Sequence, residues 1–252
     1  MESPHGWRWI GPKDTIAGMK PTVGRFGAIH PRPAGRARAR AAPSAPRMIK
    51  TKVAGGIFLL RFDTQYRLAA TFLRVQEHYE SSRFAGRVFS LEQYMDWYAS
   101  RFGGFTYYED WAGFNVPSAA LEPFYRGKFD PLSEKEKRLL RLFRHERRPF
   151  YVIGITRGAP RGDLTHELAH ALFTTNADYR RAVRTAMRGY DTSAMRKELA
   201  SMGYARRVIR DEVHAYLVAP DGALGAPRRR LTPLGKTLRG IFRRHSAGLS
   251  VP

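Results

Sequence analysis

Two histidines four residues apart, with a glutamate directly after the first, stand in the run Leu164-Thr-His-Glu-Leu-Ala-His-Ala-Leu172. Four residues is just over one helical turn. On a helix, His166 and His170 therefore leave the same face and can bring two imidazole nitrogens to one metal ion at roughly 2 Å. Glu167 leaves the helix about 100° away. From there its carboxylate reaches a water beside the metal rather than the metal itself, and can act as general base. The chain contains no cysteine, which excludes a disulfide framework and thiolate ligation and leaves imidazole and carboxylate to hold any zinc. Apart from the motif itself, every position from Leu164 to Phe173 is uncharged in a chain of which 26% is charged. That suits a buried helix.

The motif resembles the active-site helix of the zincins, metallopeptidases built around HExxH. The resemblance covers this motif and a downstream acid, not the whole chain. Phe173 and Asn176 stand where the metzincin extension needs a glycine and a third histidine, so that subgroup is excluded. A gluzincin-like arrangement remains, in which a glutamate on a later helix completes the zinc ligands. The stretch Val208 to Leu217 offers Glu212, with Asp211 and His214 as competitors. Glu212 and His214 lie about 200° apart on a helix, so only one of them can face the metal. Glu212 shares its stripe with Val208 and Tyr216, where a carboxylate without a cation is costly, and is the expected third ligand. Tyr204, Tyr216 and His214 are candidates for stabilising a developing oxyanion. Asp211 or Asp191 could orient a ligand imidazole. The resemblance implies a Zn2+ cofactor and a peptide or protein substrate. His5, His30, His145 and His245 lie in basic or tail segments and read as solvated, and His78 as the edge of a core.

The elements that must position these groups are legible from periodicity and punctuation. Ile57 to Phe62 reads as a strand, followed by a helix capped by Asp63 that carries Leu68, Phe72, Val75 and Tyr79 on one face. Ser90 with Gln93 and Ser133 with Glu136 are capping-box pairs opening two further helices, the first ended by Gly103-Gly104 and the second stopping before Pro149. Phe105 to Tyr108 reads as a short strand followed by a turn at Gly113, and Phe150 to Thr156 as a buried strand, with the alternative that an extended substrate joins Tyr151 to Thr156 at an edge. The motif helix is expected from about Asp163. Helices follow over Asp178 to Arg188, Thr192 to Met202 and Val208 to Val218, and a basic amphipathic one is capped by Thr232. Helices dominate and strands are few, so the expected fold class is α+β: a mostly helical zincin-like domain with a small sheet.

The net charge of +22 is unevenly spread: residues 1–52 carry +9, residues 227–252 carry +7, and the middle of the chain only +6. The expected organisation is a disordered basic segment over 1–47, a catalytic domain over 48–226, and a basic amphipathic tail over 227–252 that docks on the domain. Met48 is a second candidate start. The tails could contact phosphate or anionic lipid. This gives an alternative reading, a nucleic-acid- or membrane-associated binding protein with a degenerate or structural metal site. No run of 18 apolar residues and no secretory signal occurs in the sequence, so a cytoplasmic protein without a transmembrane segment is expected.

Overall fold

The computed structural model describes residues 48–111, 113–159, 161–219 and 229–250. The expected basic segment 1–47 lies outside the described residues. A β-hairpin opens the fold: β1 (Met48–Ala54) and β2 (Ile57–Phe62) pair antiparallel across a turn in which Gly56 takes a φ of 75°. Helix α1 (Gln65–Glu80) leads to α2 (Leu91–Phe102), a single turn α3 (Tyr107–Asp110) and strand β3 (Gly113–Pro117). A 3-10 turn (Ser118–Leu121), α4 (Glu122–Tyr125) and α5 (Glu134–Phe143) connect to β4 (Tyr151–Thr156). Five helices complete the chain: α6 (Arg161–Thr175), α7 (Ala177–Met187), α8 (Ser193–Ser201), α9 (Ile209–Val218) and α10 (Thr232–Ser246).

The sheet order is β1-β2-β4-β3, with β2 and β4 parallel and the outer pairs antiparallel. Both faces of the central strands are buried, which is why β2 and β4 read as unbroken apolar runs rather than alternating ones. Ile57, Leu59, Tyr151, Ile153 and Ile155 face a core built with α6 to α10. Phe58, Leu60, Phe62 and Val152 face an aromatic-rich core built with α1 to α5. The result is a mixed four-stranded sheet between two helical layers, an α+β fold.

Both capping boxes form, at Ser90/Gln93 and Ser133/Glu136. Several local expectations are corrected. Thr64, not Asp63, caps α1 by accepting from the Arg67 amide at 3.2 Å, while the Asp63 carboxylate pairs with the Arg67 guanidinium. The stretch Phe105 to Tyr108 is not a strand: Tyr107 opens the α3 turn and is fully buried, because tertiary packing of its ring overrides the β preference of an aromatic run. The motif helix starts at Arg161, and Leu231 rather than Thr232 occupies the cap position of α10. β4 is not an edge strand, since β2 and β3 occupy both of its sides; among the described residues the edges are β1 and β3. No helix among the described residues is long and apolar enough to cross a membrane.

Candidate metal centre

α6 runs beneath β3 and β4 and against α9, so the motif face of one helix meets the glutamate face of the other. His166 Nε2 and His170 Nε2 stand 3.1 Å apart. Glu212 reaches across from α9, with Oε2 3.7 Å from His166 Nε2 and Oε1 3.5 Å from His170 Nε2. A tetrahedral ion with bonds of about 2.0–2.1 Å separates its donors by roughly 3.3 Å, so three residues at these spacings could hold one small metal ion. The Oε2 of Glu212 is buried without a hydrogen-bond partner, an orphaned acceptor of the kind that a cation satisfies. Among the described residues, His166, His170 and Glu212 form the one group whose donors converge in this way. His170 and Glu212 are buried, whereas His166 is half-buried and gives the centre its solvent side.

Asp211 sits behind the ligands. Its Oδ2 lies 3.0 Å from His170 Nδ1 and its Oδ1 3.3 Å from His214 Nδ1, so it fixes the ring whose other nitrogen points to the centre. Burial opposes its ionisation, but His170 and His214 outweigh that and hold the carboxyl down at about 2. Burial likewise works against Glu212, yet His170 and His166 keep its carboxyl below the usual range. His170 is raised well above an ordinary imidazole, because Glu212 and Asp211 overcome the cost of burying its charge. A buried and a half-buried carboxylate around two imidazoles thus favour positive charge at this point, the demand a divalent cation meets.

His214 is not brought to the centre. It is fully buried, bonded to Asp211 on one side and to the Tyr179 hydroxyl at 2.7 Å on the other, and burial depresses its pKa. Tyr216 packs its ring edge-on to His166 with centroids 4.7 Å apart, and its hydroxyl stands 3.3 Å from that of Tyr204. Both tyrosines therefore border the centre. Asp191 does not. It is fully exposed and accepts from the backbone of Ser193 at 2.8 Å. His245 packs on Tyr179, with centroids 5.4 Å apart, rather than standing in solvent, while His78 bonds to Arg87 O at 2.8 Å at the core edge.

Glu167 is buried where α6 packs against β3. Its Oε2 accepts from Asn115 Nδ2 at 2.6 Å, and the Tyr151 hydroxyl donates to Asn115 Oδ1. Burial raises its pKa, moderated by His166, His170 and Asn115. A methyl group at Gly113 would come within 2.6 Å of Glu167 Oε1, so glycine at that strand position makes room for the carboxylate. Gly113, Asn115 and Tyr151 were missed by reasoning from the sequence. The available signal was Asn115 itself, the one polar residue between Phe114 and Val116 in a buried strand. No family model, curated protein or solved structure matches the chain, so the geometry carries the functional reading.

Proposed function

We propose that this chain is a zinc-dependent hydrolase, and specifically a metallopeptidase. The observation that carries the reading is the convergence of two imidazoles and one carboxylate at zinc-ligand spacing beside a separate buried glutamate on the same helix. A donor set of two nitrogens and one oxygen, with no thiolate, is that of a catalytic zinc which keeps one position open. His166, His170 and Glu212 would hold the ion, which supplies Lewis acidity toward a carbonyl and makes a water acidic enough to lose a proton near neutral pH. Glu167, its pKa raised by burial, takes that proton and delivers it to the leaving amine. Asn115 holds the Glu167 carboxylate in place. Tyr204 and Tyr216 stand where a hydroxyl could donate to the oxyanion. Among the described residues β3 is an edge strand that runs past Glu167, and an extended peptide can add to a strand edge through its backbone.

The test is cleavage of a mixed peptide pool by the full chain. Glu167→Gln is expected to keep its metal and to lose on the order of 100- to 10,000-fold in rate, and wild type should lose activity to a zinc chelator. Cleavage that survives both treatments would sink the reading. A second reading, a polyanion-binding protein with a structural metal, is favoured by a concavity lined by Arg184, Arg196, Arg206, Arg207 and Arg210 near Asp211. It requires salt-dependent binding of a nucleic-acid homopolymer, read by fluorescence anisotropy, and absence of binding at low salt eliminates it.

A further inference from the structure

Beside the metal centre, the C-terminal end of α1, α2 and the loop after α8 enclose a cavity of about 250 Å3. Its lining combines the rings of Tyr94, Trp97, Tyr98 and Tyr204 with the carboxylates of Glu77 and Glu80. Glu77 is 6% exposed and Glu80 7% exposed. Among the described residues neither forms an ion pair with a basic side chain. Glu77 is met by the neutral hydroxyls of Tyr94 and Ser81, and Glu80 by the amide of Gln76, while Glu80 also feels Glu212 and His170 of the candidate metal centre. Such donors do not balance a buried negative charge, and burial raises both carboxyls above the usual range, Glu80 with a further push from Glu212.

The other charged groups at the cavity do not supply the missing cation. Asp110 is already engaged by the hydroxyls of Tyr98 and Thr106. Arg101 stands exposed, with its guanidinium 5.7 Å from the Phe102 ring. The cavity adjoins the reaction centre through Tyr204, whose hydroxyl is 3.3 Å from that of Tyr216, which in turn packs on His166.

We propose that this cavity is a specificity subsite for a cationic side chain, arginine or lysine, of the peptide cleaved at the metal centre. This rests on the metallopeptidase reading. Aromatic rings attract a guanidinium or ammonium over their faces and pack against its methylene stem, while the two carboxylates neutralise its charge. At about 250 Å3 the space falls below the ~300–1,000 Å3 of a pocket for a whole drug-sized ligand and matches one side chain. An aromatic lining also suits an organic cation better than a second metal ion, which needs oxygen or nitrogen donors all round. Burial pushes the Glu77 carboxyl up to about 7, and a guanidinium entering the cavity would favour its ionised form.

The experiment uses the zinc-loaded full chain and a peptide series scanned with arginine, lysine, citrulline, norleucine or glutamate at each position. Its companions are Glu77→Gln and Glu80→Gln, checked for folding by thermal melts. Binding of arginine amide against citrulline amide is followed by tryptophan fluorescence. The expected result is a kcat/KM at least tenfold higher for arginine or lysine than for citrulline or norleucine at one position, with that ratio falling at least tenfold in either variant. Hydrolysis without a cationic preference would overturn the subsite and leave the peptidase reading standing. Selective arginine amide binding that is lost in Glu80→Gln, in a chain that cleaves no peptide, would keep the cation site and overturn the peptidase reading. If neither variant folds, equal binding of arginine amide and citrulline amide to wild type overturns the proposal directly.

Discussion

At the scale of single residues, buried charge is what distinguishes this protein. Two sets of acids lie below the surface and behave differently. Asp211 and Glu212 are held ionised by the imidazoles they face. Among the described residues Glu77 has no cationic partner, and it is pushed up to about 7 by burial. A carboxyl whose pKa is raised on folding contributes stability that is full below its unfolded value of 4.5 and is lost as the pH rises through about 7. The shift corresponds to on the order of 3 kcal/mol. Glu77→Gln removes that dependence. It should raise the melting temperature by several degrees at pH 8 and by clearly less at pH 5, as read by circular dichroism. Equal shifts at the two pH values would show that the charge is not the cause. A group that costs stability at neutral pH and lines a cavity beside the proposed metal centre is what a stability-for-function trade predicts.

At the scale of elements, the motif helix α6 is positioned by three neighbours: β3 presses Asn115 onto Glu167, α9 brings Glu212 and Asp211, and β4 packs against it. What was legible in the sequence was local. His166, His170 and Glu167 share one helix, and the serine caps with their Gln93 and Glu136 partners act within four residues. Asn115 and Tyr151, and likewise Glu77 and Glu80, come from strands and helices far from the motif in sequence, and no spacing rule connects them to it. β1 was overlooked because Lys50 and Lys52 break its apolar content, as is usual for an edge strand. On the opposite layer, α1 and α5 are tied by a buried ion pair: Arg74 donates to Glu136 through Nε and Nη2, both at 2.7 Å, and to the carbonyl of Phe129 at 3.0 Å. Arg74→Met is expected to cost about 3–5 kcal/mol, since it leaves Glu136 buried without its cation. Urea unfolding measures this, and a loss below about 1 kcal/mol would mean that Glu136 escapes to water.

At the scale of the whole molecule, the two cores share one sheet, and the chain's last described helix belongs to the core that carries the metal centre. Leu234, Leu238 and Ile241 of α10 are buried with α9 and α7, and the Arg239 guanidinium donates to Leu217 O at 3.0 Å. The basic residues Lys236, Arg243 and Arg244 lie on the exposed face of this packed helix. Each buried aliphatic side chain contributes about 1.5–3 kcal/mol, set against a usual total of about 5–15 kcal/mol. Removing residues 229–252 should abolish cooperative unfolding in a calorimeter; a truncated chain that melts as wild type would contradict this packing. The central claim concerns the ion that His166, His170 and Glu212 are proposed to hold. The most direct test is metal content by mass spectrometry on the purified, zinc-reconstituted full chain beside His166→Ala and Glu212→Gln. One zinc per chain in wild type, lost in both variants while their melts stay cooperative, is the predicted result. A well-folded wild type that holds no zinc after reconstitution would contradict it.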